Sequence, residues 1–147
     1  MADARTVTVP ATTAGIQTAL DALEAFSRRV QAPDAVRRRM LTALDEVLSN
    51  IVRHGTVAAD SSIVVTATPG VDDVSVDVAD ASAPFDPLSL PPPDTTSPLE
   101  ARRAGGLGIA LVRALADQVR YERRDDWNHL TMIWRTTPDG DGEAHAD

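Results

Sequence analysis

The chain has 147 residues, 43% of them hydrophobic and 24% charged, with a formal net charge of −8. That is enough for one domain with a core of its own, and it excludes a nucleic-acid binder working through a basic face. Cysteine is absent, which excludes a disulfide framework, thiol catalysis and thiolate metal sites and points to the cytoplasm. No apolar run approaches the roughly 20 residues of a membrane span, and no signal-peptide pattern opens the chain. His54, His129 and His145 are not spaced like a zinc site. The acidic excess favours solubility and a basic protein partner.

In chain order, Arg5 to Val9 alternates and predicts a short strand ended by Pro10. A first helix is expected over Thr13 to Arg29, with Ile16, Ala19, Leu20 and Leu23 on its buried face. Arg28, Arg29, Arg37, Arg38 and Arg39 bracket the junction at Gln31–Asp34. This local basic patch is either a pair of solvated helix ends or a contact for a partner protein or a phosphate. Asp34 is placed as N-cap of a second helix and Gly55 as its C-terminal stop.

In that second helix Val36, Met40, Leu44, Val47, Leu48 and Ile51 recur at steps of three and four, the period of a core-facing side. Glu46, Asn50 and His54 stand at i, i+4 and i+8, so they share one stripe. At about 100° per residue the stripe borders the apolar side. It is either a solvated edge or the wall of a cleft. In a cleft the carboxylate would suit a general base and the carboxamide a ligand for hydrated Mg²⁺, which prefers oxygen donors.

Ser62 to Thr68 and Asp73 to Ala79 are β-branched or alternating runs about the turn Pro69-Gly70-Val71-Asp72, and predict an antiparallel hairpin. Val74, Val76 and Val78 share a face, and Asp80 has the same parity. Its carboxylate either needs a partner with donors, such as a ligand, or has turned to solvent. Ala83 to Ala104 holds more than half of the chain's ten prolines, so no regular helix or central strand crosses it. A connection of that length is a functional lid or a disordered insertion. Gly105-Gly106-Leu107-Gly108 then feeds a helix. Leu107, Leu111, Val112, Leu115 and Val119 carry its period, and free amides at such a helix start suit an anion. Val119 to Arg123 and Leu130 to Arg135 predict a second hairpin about Asp125-Asp126-Trp127-Asn128, with Leu130, Met132 and Trp134 on one face. Residues 5–135 read as the domain and 136–147 as a disordered acidic tail.

Three segments in fixed order resemble the GHKL (Bergerat-fold, histidine-kinase-like) ATP-binding superfamily. Leu44 to Gly55 resembles its N box, Val78-Ala79-Asp80 through Pro84-Phe85-Asp86-Pro87 its G1 box, and Gly105 to Leu111 its G2 box. Within the superfamily the chain is most similar to the anti-sigma-factor serine/threonine-protein kinases of the RsbW/SpoIIAB type, over about residues 6–135. The resemblance implies a two-layer α/β (α+β) sandwich, with a mixed, mostly antiparallel sheet and three helices on one face. It implies ATP and Mg²⁺ between the layers, with Glu46 as general base and Asn50 holding the metal. Asp80 would accept from the adenine amino group, and Gly105, Gly106, Leu107 and Gly108 would close on the phosphates under the Pro-rich lid. Ser82 stands where the G1 box has glycine. Its hydroxyl would either bond the nucleotide or a water, or weaken binding through its Cβ. His54 fits a packing or capping role.

The implied function is phosphorylation of a STAS-domain anti-sigma-factor antagonist, alternating with sequestration of a sigma factor or another regulator. A cytoplasmic homodimer is implied as well, with the first strand as a candidate edge. The alternative is a sequestering module that has lost nucleotide. The ATPase half of a histidine kinase ranks lower, because no phospho-acceptor helix hairpin is seen.

Overall fold

A computed structural model of the protein describes residues 3–54, 61–82 and 106–137. The elements run β1 (Arg5–Pro10), α1 (Thr13–Arg29), α2 (Asp34–His54), β2 (Ser62–Pro69), β3 (Asp73–Asp80), α3 (Gly106–Leu115), β4 (Gln118–Arg124) and β5 (Trp127–Arg135). Gly55, the Pro-rich segment with Phe85 and Asp86, Gly105 and the tail from residue 138 lie outside the described residues.

Each element follows from local chemistry. The Thr12 hydroxyl accepts from the Gly15 amide at 3.0 Å and caps α1. Gly15 is where α1 crosses the end of β1. A Cβ there would stand 2.0 Å from the Pro10 carbonyl oxygen, so only glycine permits the approach. α1 ends where Gln31 takes a left-handed φ of 58°, with Ala32 N–H donating to Ser27 O at 2.9 Å and Gln31 N–H to Arg28 O at 3.1 Å. Asp34 is the first residue of α2 and does not cap it. The Pro33 carbonyl accepts the Arg37 amide, while the Asp34 carboxylate pairs with the Arg37 guanidinium at 2.6 Å. Arg28 is likewise paired, with Glu24 at 3.0 Å, so the basic patch is partly neutralised within its own helices.

The strands form one sheet in the order β1-β2-β3-β5-β4. Among the described residues every pairing is antiparallel, where a mixed sheet was expected. The crossover through α3 delivers β4 parallel to β3, but the tight β4–β5 turn folds β5 back between them. Each neighbour therefore runs opposite.

One face of the sheet is apolar, and the helices lie on it. Val7, Val65, Val78, Leu130 and Tyr121 form one cross-strand row, and Ala67, Val76, Met132 and Val119 the next. They join Ala19, Leu23 and Phe26 of α1, Met40, Leu44 and Leu48 of α2, and Val112 of α3 in a single core. Burying each large side chain stabilises by about 1.5–3 kcal/mol. Trp134 is fully buried, and its indole N–H donates to the Leu115 carbonyl at 2.8 Å, closing the end of α3.

Two expectations about α3 change. Leu111 is 39% exposed, and Val119 belongs to β4. The helix stops at Leu115 because the Asp117 amide already donates to Ile133 O at 2.9 Å, starting the β4–β5 ladder. Ile16 and Leu20 of α1 are only partly buried. Phe26 and Ser27 are buried in full and complete the inner side of that helix.

Candidate functional site

The end of the sheet where β3 stops is unlike the rest of its inner face. Above the apolar rows the last row reads Val9, Ile63, Asp80, Asn128 and Arg123, across all five strands. Asp80 is 6% exposed. It has not turned to solvent, and the donors its parity demanded come first from the protein itself. The Ser82 amide donates to Asp80 Oδ1 at 3.0 Å, and the Ser82 hydroxyl reaches the same oxygen. Asn128 Nδ2 is a third donor to Oδ1, at 3.3 Å. No donor among the described residues reaches Oδ2.

Asn128 is 5% exposed and directly opposite Asp80. Sequence pattern alone puts it in the turn Asp125-Asp126-Trp127-Asn128. Only Asp125 and Asp126 form that turn, with φ of 53° and 67°, the positive pair that a two-residue hairpin requires. Trp127 and Asn128 are therefore the first residues of β5. The parity that places Leu130, Met132 and Trp134 inward would have placed Asn128 inward too.

Further donors close the network. Tyr121 OH donates to Asn128 Oδ1 at 2.6 Å. Arg123 Nη1 donates to the same oxygen at 3.2 Å and to Ser82 O at 2.8 Å. Asn128 Nδ2 also lies 3.1 Å from Ser82 Oγ and 3.3 Å from Ser82 O. Arg123 thus ties β4 to the residue at which the chain leaves β3.

The helix side of the site is built differently. α2 lies against β3 and β5 on one side and against α3 on another. On it Glu46 and Asn50 are half-buried at the border of the apolar side, as their stripe predicts. Both polar atoms of the Asn50 carboxamide are shut off from solvent, without a hydrogen-bond partner among the described residues. An orphaned buried amide costs roughly 1–3 kcal/mol, and such groups in folded proteins call for a reason. An oxygen donor of this kind suits Mg²⁺. His54 is the last residue of α2. Gly106, Leu107 and Gly108 form the first turn of α3, which carries no acidic residue. Its leading amides offer the positive end of the helix dipole to an anion. Among the described residues no group of three or more His, Asp or Glu side chains could hold a metal, and no helix is long and apolar enough to cross a membrane.

Comparison with known proteins bears on the family and the fold. The family model described as "Histidine kinase-like ATPase domain" matches residues 9–134. The chain is 33% identical over 138 residues to the serine/threonine-protein kinase BtrW of Bordetella bronchiseptica, covering 93% of this chain and 96% of that one. Among solved structures it is similar to the RsbU and RsbW domains of Rv1364c from Mycobacterium tuberculosis, with a TM-score of 0.66 and 20% identity. That match covers 91% of this chain and 32% of the other. It is also similar to a chain of the SiaB–SiaC complex from Pseudomonas aeruginosa, with a TM-score of 0.62, 15% identity and 88% of each chain covered. The chain belongs to the histidine kinase-like (GHKL) ATPase family, and within it is similar to the serine/threonine-protein kinase BtrW.

Proposed function

We propose that the protein is an ATP-dependent protein-serine kinase that phosphorylates a STAS-domain anti-sigma-factor antagonist and otherwise sequesters a sigma factor or another regulator. The observation that carries this reading is the Asn50 carboxamide, whose shut-off atoms have no partner among the described residues, on a helix packed against the two strands that carry Asp80 and Asn128. Kinship with BtrW supports the choice of a protein acceptor.

In this reading Asn50 Oδ1 would hold Mg²⁺, which would supply charge neutralisation at the phosphates of ATP. Glu46 takes the proton of the attacking serine hydroxyl. The amides of Gly106, Leu107 and Gly108 at the start of α3, with Gly105 just before them in the chain, bind the phosphates. Asp80 Oδ2 accepts from the adenine amino group, and Ser82 borders the base. The serine oxygen bonds to the γ-phosphorus as the bond to the β–γ bridging oxygen breaks, and ADP leaves. Placing the groups and neutralising their charge supply most of the acceleration.

The protein acts in the cytoplasm as a homodimer, for which β1 offers an edge strand whose outer side no described strand pairs. A second reading is favoured by one observation, the three donors already on Asp80 Oδ1. It is a sequestering module with the same fold and no nucleotide.

A thermal melt with and without Mg·ATP separates the two. Ligand at about 100 times its dissociation constant adds roughly 2.7 kcal/mol, on the order of 3–6 °C for a domain of this size. Intact-mass detection of a phosphorylated STAS-domain protein then establishes transfer. No melting shift at millimolar Mg·ATP would sink the kinase reading and leave the sequestering one.

A further inference from the structure

The hydrogen bonds around Asp80 have a direction. A guanidinium can only donate, so Arg123 Nη1, 3.2 Å from the Asn128 side chain, requires the amide oxygen to face it. The Tyr121 hydroxyl donates to that same oxygen. The Asn128 NH₂ is thereby turned the other way, toward Ser82 Oγ and Asp80 Oδ1. Ser82 Oγ accepts from it and gives its single proton to Asp80 Oδ1. Every proton in the chain Arg123–Asn128–Ser82–Asp80 points toward the carboxylate, and all donors converge on one of its two oxygens. Such chains polarise one another in a buried setting.

We infer that Ser82 is a positioning residue and not a lesion of the nucleotide site. With Asn128 and Arg123 it locks Asp80 by Oδ1, so that Oδ2 is held in one orientation to read the exocyclic amino group of a purine. This rests on the nucleotide reading above and deepens it. The Ser82 side chain is tied to the end of the sheet by its bonds to Asp80 and Asn128, which answers the expectation that a Cβ here would crowd the base. Glycine at this position would remove two of the contacts, the hydroxyl's bond to Asp80 and the acceptor for Asn128. The carboxylate would then be held by the Ser82 position's backbone amide and by a less constrained Asn128.

The test is a ligand pair measured by calorimetry on the full chain. Mg·ADP is compared with the Mg²⁺ complex of purine riboside diphosphate, which lacks only the amino group. In the unaltered protein the amino group should tighten binding on the order of tenfold, as a hydrogen bond to a charged acceptor does. In Ser82→Gly and in Asn128→Ala that ratio should fall toward one, with the affinity for the deamino analogue little changed. Ser82→Thr, which keeps the hydroxyl, should keep the ratio. Partial loss of fold would weaken both ligands alike, so the ratio is read only on a variant that binds the deamino analogue as the unaltered protein does. Ser82→Gly lies beyond the last residue of β3 and is the variant to rely on if Asn128→Ala does not fold. A Ser82→Gly protein that keeps the full ratio, or binds Mg·ADP more tightly, would overturn the inference and leave the kinase reading standing. If the unaltered protein binds neither ligand, the nucleotide reading falls, and the inference with it.

Discussion

The sheet side and the helix side of the candidate site solve the problem of buried polar groups in opposite ways. On the sheet, Asp80 and Asn128 are both buried, and each is held by partners from its own chain. On α2, Asn50 is half-buried, and its two shut-off amide atoms have no partner among the described residues. A satisfied network is rigid before any ligand arrives. An unsatisfied amide carries a penalty that only a ligand, metal or water can relieve. In the proposed kinase the base-reading half would thus be ready in advance, while the metal-holding half would gain its missing partner on binding.

The largest effect that tests this division concerns chemistry. Glu46→Ala should lower phosphate transfer by roughly 10²–10⁴-fold, the usual share of general-base catalysis, and leave the Mg·ATP melting shift in place. A shift lost together with the transfer would make Glu46 part of the binding wall instead. Next comes the orphan itself. Asn50→Leu should abolish the melting shift, yet raise the stability of the ligand-free protein by about 1 kcal/mol, because a buried unpaired amide is gone. If the free protein is destabilised, Asn50 is satisfied in solution and the contrast between the two sides disappears.

Asp80→Asn sharpens the other side. An amide oxygen can still accept from Ser82 and Asn128, so the fold should hold within about 1 kcal/mol. The NH₂ that replaces Oδ2 would face the base's amino group, donor against donor, and nucleotide affinity should fall on the order of tenfold or more. Equal affinity in titrations of the two proteins would remove Asp80 from the base contact. The smallest effect is at the turn that sets the register. Asp125 and Asp126 both hold positive φ, where Asn-Gly is preferred. The pair Asp125→Asn and Asp126→Gly should raise the melting temperature by the equivalent of about 0.5 kcal/mol without altering nucleotide affinity. A change in affinity would mean that the turn does more than align Asn128 with Asp80.

Local patterns of the chain were enough for the helix over Thr13–Arg29, the β2–β3 hairpin, the inward set Leu130, Met132 and Trp134, and the edge position of Glu46 and Asn50 on α2. Each depends on a period of 3.6 or 2 within one segment, and on turn or stop residues beside it. Even Asp80 was legible as inward-facing, from parity alone. Where periods of different elements abut, the local pattern misleads. Val119 continues the spacing of α3 on paper, but it pairs with Met132 in β4, because the ladder begins one residue past the last helical hydrogen bond, at Asp117.

What the sequence determined by itself was which residues face the core and which polar residues are forced to its border. That information is carried by neighbours three, four or two positions away, and sterics and hydrophobic burial act on it locally. What only the tertiary structure decided was the company those polar residues keep. Asn128 reaches Asp80 across 48 positions of sequence, because β5 inserts between β3 and β4 in a register set by a two-residue turn. Arg123 reaches Ser82 across 41 positions for the same reason. Hydrogen-bond partners at such separations are fixed by strand order and register, which are properties of the whole sheet. No single segment contains them.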